Sequence, residues 1–257
     1  MLSKKQKYLQ IALNSDLSEA KSIISQIPLD QRIIIEAGTP LIKASGVRGI
    51  RSIRQWWEQR IFGMQYFNPQ YRGLVNPLFV KAIEKKNLET VREKKENFFS
   101  PYIVADLKCM DRGLREVEIA KEGGANAATA LGHAPIETLD SFIEKCGEYE
   151  LDSMIDMMNV DFPLNILRQL KELPKVVVLH RGVDQEAFNP ESEIPFHEIT
   201  RIKNEYDILI AVAGGDDFQE VQRAIFNDAD IVVVWKSFYE STKETAKLAE
   251  QFLKEIR

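Results

Sequence analysis

Three charged side chains follow an apolar run in the stretch Val104-Ala105-Asp106-Leu107-Lys108-Cys109-Met110-Asp111. The run itself, Tyr102–Leu107, has the length and composition of a strand covered on both faces. Because residues two apart on a strand face the same side, Asp106 and Lys108 are predicted to point together into the space that the sheet encloses. Asp111 follows in the loop before the next helix. We interpret the two carboxylates as bracketing the Lys108 ammonium, which then acts as a cation or proton donor. The alternative is an ion pair that only balances buried charge.

Similar apolar runs recur along the chain, at Tyr8–Leu13, Ile33–Ile35, Ala127–Leu131, Ser153–Met158, Val176–Leu179, Ile208–Val212 and Ile231–Val234. Amphipathic stretches of helical length separate most of them, at Leu17–Gln26, Gly46–Trp57, Leu114–Glu122, Ile136–Glu148, Pro163–Leu173, Phe218–Asn227 and Thr242–Ile256. Eight strand-and-helix units at a spacing of roughly 25 residues predict one (β/α)₈ barrel domain over residues 1–257. A doubly wound open sheet is the alternative, and it fits less well because no GxGxxG loop follows the first strand.

Composition limits the classes of partner and compartment. The chain has 257 residues, 44% of them hydrophobic, and a net charge of −5, which gives no electrostatic reason to expect nucleic acid or an anionic membrane as partner. We interpret the basic cluster Lys4-Lys5-Gln6-Lys7 as a solvated tail. The two cysteines form no CxxC pair, which fits a reducing compartment and argues against structural zinc. Without a signal-type apolar segment or a membrane-spanning run, we expect a soluble cytoplasmic protein.

One interval, residues 57–99, interrupts the strand–helix period. An insertion between a helix and the next strand emerges at the N-terminal face of a barrel, opposite to the loops that carry catalysis. We therefore predict that it forms an oligomer or partner surface or a local small core, with a substrate lid as the alternative. Asn76–Glu96 is predicted to be helical, and the aromatic and apolar residues at issue are Trp56, Trp57, Phe62, Met64, Tyr66, Phe67 and Tyr71.

Glu36 ends the second apolar run, next to the strand that carries Asp106. Carboxylates at the ends of neighbouring strands can share one Mg²⁺, which prefers oxygen ligands and keeps several waters that a substrate can displace. The two residues are therefore candidate metal ligands.

Histidine and arginine side chains follow other strands. His180 and Arg181 come directly after the sixth run, where a histidine can transfer protons near neutral pH and an arginine can hold an oxyanion. The alternative for His180 is a structural role. His133 ends the fourth strand in a similar way, whereas His197 is expected to lie on the surface.

The ends of the last two strands are candidates for binding phosphate. Gly214 and Gly215 end the seventh run and permit close approach of the backbone, and Lys236 follows the eighth run with a positive charge. The charges of Asp216-Asp217 and the bulk of Trp235 oppose this interpretation.

Together these motifs resemble the 3-hexulose-6-phosphate synthase family, a branch of the orotidine 5′-phosphate decarboxylase superfamily. The likeness is strongest to the synthase domain of archaeal bifunctional formaldehyde-fixing proteins and covers nearly the whole chain except the insertion. Glu36 stands where orotidine phosphate decarboxylases carry lysine, which points to the synthase branch. The matching motifs are Glu36–Lys43, Val104–Asp111, Asp156–Val160, Val178–Asp184 and Ala211–Gly215.

The resemblance implies a Mg²⁺-dependent, reversible aldol reaction of ribulose 5-phosphate with formaldehyde through a metal-bound enediolate. It implies that Glu36 and Asp106 bind Mg²⁺, that Lys108 stabilises the enediolate and that His180 transfers protons. Asp111 would reach the active site of a partner subunit in a homodimer. The sugar phosphate would be held by Asn14, Arg181, Gly214, Gly215 and Lys236.

The sequence departs from the family pattern at the substrate positions. Asn14 stands where the family has aspartate, Trp235 where it has glycine, and Lys236 where it has arginine, and Asp216-Asp217 is a further change. An amide cannot act as a base, and lysine is a point charge and not a bidentate fork. These departures leave two alternatives open. One is the same enolate chemistry, or a decarboxylation, on a different substrate such as one without a phosphate. The other is a catalytically silent scaffold or binding module.

Overall fold

A computed structural model describes residues 2–63, 99–189, 191–215, 217–240 and 244–256. Eight parallel strands close there into a barrel in chain order, with β8 paired to β1. The predicted (β/α)₈ barrel is therefore confirmed, and all eight apolar runs form strands whose ends lie within two residues of the predicted ones. The strands are β1 (Tyr8–Leu13), β2 (Ile33–Ala37), β3 (Ile103–Cys109), β4 (Ala127–Leu131), β5 (Asp152–Asp156), β6 (Val176–His180), β7 (Leu209–Ala213) and β8 (Ile231–Val234).

Helices follow the strands and cover the outside of the barrel. In the part of the chain that the structure describes, none is long and apolar enough to cross a membrane. They are α1 (Leu17–Gln26), α2 (Thr39–Ser45), α3 (Val47–Phe62), α4 (Gly113–Gly123), α5 (Ile136–Glu148), α6 (Pro163–Leu167), α7 (Val183–Phe188), α8 (His197–Glu205), α9 (Phe218–Phe226), α10 (Lys236–Glu240) and α11 (Thr245–Glu255).

The helix after β2 differs from its predicted extent. Gly46 has φ 58°, a conformation that favours glycine, and it separates α2 from α3. α3 then continues to Phe62, and Trp57 is fully buried with its ring centroid 6.2 Å from that of Phe99. The start of the predicted insertion therefore belongs to the barrel. Residues 64–98, including the predicted helix Asn76–Glu96, lie outside the described residues.

The helix predicted over Pro163–Leu173 is shorter than expected and ends at Leu167. The next amides bond three residues back, from Gln169 N to Ile166 O and from Leu170 N to Leu167 O, so the chain tightens into a turn. The amphipathic pattern continued past this point because Leu170 still packs against the core.

The interior of the barrel is mostly apolar at its N-terminal end and polar at the other; the buried exception at the N-terminal end is Asp152, which accepts hydrogen bonds from Leu2 N and Tyr102 Oη. Leu2 and Tyr8 are buried and close the N-terminal end, where Tyr102 packs against them. Towards the other end the buried interior side chains become polar: Gln10, Glu36, Asp106, Thr129 and Asp156. Because parallel strands place their carboxyl ends at one rim, these groups face a common space.

Two helical glycines provide a matched test of how tightly the outer layer packs. A Cβ on Gly123 of α4 would lie 2.6 Å from Cβ of Ile50 in α3, whereas one on Gly147 of α5 would meet nothing within 4 Å. We expect Gly123→Ala to lower the free energy of unfolding by about 1–3 kcal/mol, because the helices must move apart. Gly147→Ala should raise it by about 0.4–1 kcal/mol. Denaturant titration measures the free energy of unfolding of both variants. Equal changes in the two variants would show that α3 and α4 can move apart without loss of stability.

Candidate active site

A pocket of about 450 Å³ opens at the rim formed by the carboxyl ends of the strands. Its floor carries the charged and polar groups, and much of its wall is apolar. The lining residues are Gln10, Ala12, Asn14, Glu36, Thr39, Pro40, Asp106, Lys108, Thr129, Met154, Asp156, Val178, His180, Arg181, Val183, Ala213, Gly214, Val233 and Trp235.

A larger cavity of about 790 Å³ lies at the opposite end of the barrel and holds the basic cluster Lys4–Lys7. Lys4 and Lys5 are exposed, as the interpretation of a solvated tail predicts, but Lys4 and Lys7 also form ion pairs. Lys4 Nζ lies 2.6 Å from Asp207 Oδ2, and Lys7 Nζ lies 2.6 Å from Asp228 Oδ1. These ion pairs balance much of the positive charge and fasten the segment to the N-terminal face.

Lys108 is the central charge of the active-site pocket. Its Nζ lies 2.8 Å from Oδ2 of Asp156 and 3.2 Å from Oδ2 of Asp106. Burial by itself would lower the pKa of Lys108, but the two neighbouring carboxylates hold the pKa well above its usual value. Lys108 is therefore a fixed ammonium ion. The predicted convergence of Asp106 and Lys108 is confirmed.

The backbone around Lys108 is irregular, and this irregularity helps to set the side chain. The pairing register between β3 and β4 shifts between Ala105 and Cys109, and Lys108 has φ 48°. Its amide donates to Thr129 Oγ1 at 3.1 Å. A non-glycine residue in the left-handed region is strained, and such positions recur at functional sites.

The prediction that Asp111 brackets Lys108 within the chain is wrong, and Asp156 takes that place. Because the strand ends at Cys109, Asp111 is exposed in the following loop, where its Oδ1 accepts from the Arg112 amide at 2.7 Å. Asp156 is the last residue of β5 and is almost completely buried. The rule that selected Glu36, a carboxylate ending an apolar run, also selects Asp156 once the end of β5 is placed correctly.

Asp156 also binds His180. Its Oδ2 lies 2.8 Å from Nδ1 of His180, and its Oδ1 accepts from the Met158 amide at 2.9 Å. Although burial favours the neutral acid, His180 and Lys108 hold the pKa of Asp156 well below its usual range. An ionised carboxylate only accepts hydrogen bonds, so Nδ1 of His180 carries the proton, and Nε2 is the ring atom left to exchange a proton with a substrate.

Glu36 and Asp106 form a second group of acids on neighbouring strands. Thr39 Oγ1 and Thr129 Oγ1 each lie 2.7 Å from an oxygen of Asp106, and Gln10 Nε2 donates to Glu36 Oε2. Burial, and then the charge of Asp106, raises the pKa of Glu36 to about 8.

These two acids fit a hard divalent cation such as Mg²⁺. Within the described ranges no group of three or more His, Cys, Asp or Glu side chains is arranged to hold a metal, so the protein would supply two carboxylates and leave the other positions to water and substrate. A cation would offset the repulsion that raises the pKa of Glu36. Gln10 adds a buried oxygen, Oε1, that has no hydrogen-bond partner among the described residues.

Asn14 and Arg181 both line the pocket, and Arg181 is held by hydrogen bonds within the chain. A Cβ on Gly38 would lie 1.8 Å from Asn14 Oδ1, so the amide packs directly over this glycine. Arg181 Nη2 donates to Gly214 O at 2.7 Å and to Glu220 Oε1 at 3.1 Å, and Nη1 donates to Ser192 O. In this structure the donors of Arg181 therefore tie the β6 and β7 loops together, and its role in holding an oxyanion stays a prediction.

The predicted phosphate cradle is present only in part. Gly214 lines the pocket with φ 92°, and a Cβ there would lie 2.1 Å from Arg181 O, which explains the glycine. Gly215 packs instead against Glu220, and Lys236 is exposed at the start of α10, so neither lines the pocket. Trp235 does line the pocket. Asp216 lies outside the described residues.

Two further histidines lie away from the pocket. His133 is exposed, with Nε2 2.8 Å from the carbonyl oxygen of Asn159. His197 is exposed at the start of α8, beside Glu198. Neither belongs to the set of side chains around Lys108.

Comparison with known proteins supplies an independent line of information. Residues 77–251 match the profile of the orotidine 5′-phosphate decarboxylase / HUMPS family. The bifunctional enzymes Fae/Hps of Methanothrix thermoacetophila and Methanosarcina barkeri are 33% and 34% identical over 252 and 251 residues. These alignments cover 97% of this chain but 53% and 52% of the relatives, so the chain spans about half their length.

A solved structure has the same architecture. The crystal structure of 3-hexulose-6-phosphate synthase from Salmonella typhimurium superposes with a TM-score of 0.70 at 25% identity, covering 97% of this chain and 100% of that chain.

The raised pKa of Glu36 makes a prediction about stability. The folded state keeps the Glu36 proton up to pH of about 8, whereas the unfolded state releases it near 4.5, so this group's contribution to stability is lost as pH rises between these values. In EDTA, Glu36→Gln should gain stability relative to wild type from pH 5 to 8 and level off above that. Denaturant titration at each pH measures the difference in free energy of unfolding between the variant and wild type. Glu148→Gln on the surface is the control for loss of a carboxyl. A constant difference would show that Glu36 is ionised throughout.

Proposed function

This chain belongs to the orotidine 5′-phosphate decarboxylase / HUMPS family, and on that premise we propose that it is a Mg²⁺-dependent 3-hexulose-6-phosphate synthase. The reaction is the reversible aldol addition of ribulose 5-phosphate to formaldehyde. The observation that carries the proposal is the Lys108 ammonium, held 2.8 Å from Asp156 and 3.2 Å from Asp106 on the floor of the pocket. The names of the curated relatives and of the superposed synthase support the substrate class.

The chemistry follows from the charges of the pocket. Carbon 1 of the ketose loses a proton, and the electron pair forms an enediolate whose negative oxygens are stabilised by the Lys108 ammonium. Carbon 1 then forms a bond to formaldehyde carbon, and the formaldehyde oxygen takes up a proton. His180 is placed to move these protons through Nε2, because Asp156 fixes its ring through Nδ1.

Glu36 and Asp106 are the residues that would hold Mg²⁺, which supplies Lewis-acid stabilisation of the developing negative charge. Thr39 and Thr129 hold the Asp106 carboxylate in one orientation, since each hydroxyl lies 2.7 Å from one of its oxygens. The remainder of the pocket excludes water through its apolar wall.

We also propose a homodimer in which Asp111 completes the pocket of the partner. Met110 and Leu114, on either side of Asp111, are 44% and 52% exposed, so the chain after β3 presents apolar side chains on its surface. Burial of this surface against a second copy would bring Asp111 towards the partner's Lys108 by two-fold symmetry. The predicted cytoplasmic location is retained in this proposal.

A second candidate substrate is a ketose without a phosphate. The observation that favours it is the wall near β8, where Trp235 lines the pocket while Gly215 and Lys236 do not. The same enediolate chemistry would act on this substrate, with the indole packed against the sugar. Comparison of ribulose 5-phosphate with ribulose therefore distinguishes the two substrates.

The direct test is consumption of formaldehyde in the presence of ribulose 5-phosphate and MgCl₂. We expect turnover that stops in EDTA and falls by at least about 10³-fold in Lys108→Ala and in Asp106→Asn, because both remove charge from the reacting centre. Lys7→Ala, a lysine on the opposite face, is the matched control and should remain active. Turnover retained in Lys108→Ala would contradict the mechanism. Turnover with ribulose but not with its phosphate would favour the second substrate.

The dimer is tested by mixing two inactive variants. Lys108→Ala and Asp111→Ala are each expected to be inactive, because every pocket in either homodimer lacks one residue. When equal amounts are mixed and allowed to exchange subunits, half the dimers are mixed and each has one intact pocket. Activity should then recover to about a quarter of wild type. No recovery, with exchange verified by mass, would show that Asp111 does not act across the interface.

A further inference from the structure

Gln10 is a buried amide on the pocket floor whose two ends have different surroundings. It belongs to β1 and is 2% exposed. Its Nε2 donates to Glu36 Oε2, whereas its Oε1 is buried without a hydrogen-bond partner in the described part of the chain. A buried acceptor left without a partner costs about 1–3 kcal/mol, so such an atom requires an explanation.

The orientation of the amide follows from its neighbour. A carboxylate that binds a cation is ionised and only accepts hydrogen bonds, so in the cation-bound pocket Gln10 turns its NH₂ group towards Glu36, as it does in this structure, and its carbonyl oxygen away. One contact therefore fixes the rotation of the Glu36 carboxylate and directs Gln10 Oε1 elsewhere. β1 and β2 hold the pair in place, since Ala12 lies opposite Glu36 and Gln10 opposite Ile34 in the pairing register.

We propose that Gln10 is a positioning residue for the divalent cation of this pocket. Its N–H group fixes the Glu36 carboxylate, and its carbonyl oxygen accepts a hydrogen bond from a water molecule that the cation retains. Mg²⁺ keeps several waters when it has few protein ligands, and partners behind the ligands set their orientation. The inference rests on the proposed Mg²⁺ requirement.

The test is calorimetric titration of the full chain with MgCl₂ in the absence of substrates. Gln10→Met keeps the unbranched shape but removes both polar ends, and we expect it to bind Mg²⁺ about tenfold more weakly than wild type. Ile34→Val is the matched control, because Ile34 is a buried neighbour of Gln10 in the barrel that has no polar end to offer. It should bind Mg²⁺ within about twofold of wild type.

Gln10→Glu tests whether Mg²⁺ binding requires an oxygen at this position or only a side chain of this size. It keeps an acceptor oxygen, replaces the NH₂ group by a second oxygen and adds negative charge, so it should bind Mg²⁺ at least as tightly as wild type. Binding as weak as that of Gln10→Met would overturn the role of the oxygen. Wild-type affinity in Gln10→Met would overturn the inference and leave the proposed function intact. Absence of Mg²⁺ binding by wild type would instead remove the metal from the proposed function, and this inference with it.

Discussion

The Asp156 carboxylate is the group on which the arrangement of the pocket depends. Its Oδ2 lies 2.8 Å from both Lys108 Nζ and His180 Nδ1, and its Oδ1 accepts from the Met158 amide. It therefore connects the ends of β3, β5 and β6. Removing one partner from a buried ion pair leaves an uncompensated charge, so these three side chains stabilise one another as a set.

The charged side chains at the rim are buried inside a closed barrel, where they pair with one another. Most interior positions below the polar rim are filled by apolar side chains, and Leu2 and Tyr8 are buried at the N-terminal end. In a water-poor interior each ion pair is stronger than it would be at the surface, and an ammonium ion so held needs no reorganisation when an oxyanion forms nearby. The same burial that costs stability thus prepares the site for stabilising negative charge.

The pocket has one side that carries the reactive charged groups and another side that is expected to contact the rest of the substrate. The charged groups lie on β2, β3, β5 and β6, whereas the wall near β7 and β8 carries Gly214 and Trp235. Arg181, which lines the pocket at the end of β6, donates its hydrogen bonds to acceptors in the β6 and β7 loops. Changes at the β7 and β8 wall can therefore alter the substrate without disturbing the lysine and its carboxylates.

Local patterns in the sequence predicted the barrel, all eight strands and the grouping of Glu36, Asp106, Lys108 and His180. They could do so because strands that alternate with helices run parallel, and parallel strands place their carboxyl ends at one rim. The same patterns did not predict that Asp156 takes the place beside Lys108 that was assigned to Asp111, nor which acceptors Arg181 binds. Which carboxylate pairs with Lys108 depends on the bulge in β3 and on the placement of β5 two strands away, and neither is a local property. Whether a rim arginine faces a ligand depends on competing acceptors, here Gly214, Ser192 and Glu220, which the pairing of β6 with β7 and the fold of the following loops bring within reach. The sequence by itself thus determines which segments form strands, because that depends on short-range periodicity. Only the tertiary structure decides which charges pair, because the pairing depends on contacts between different segments of the chain.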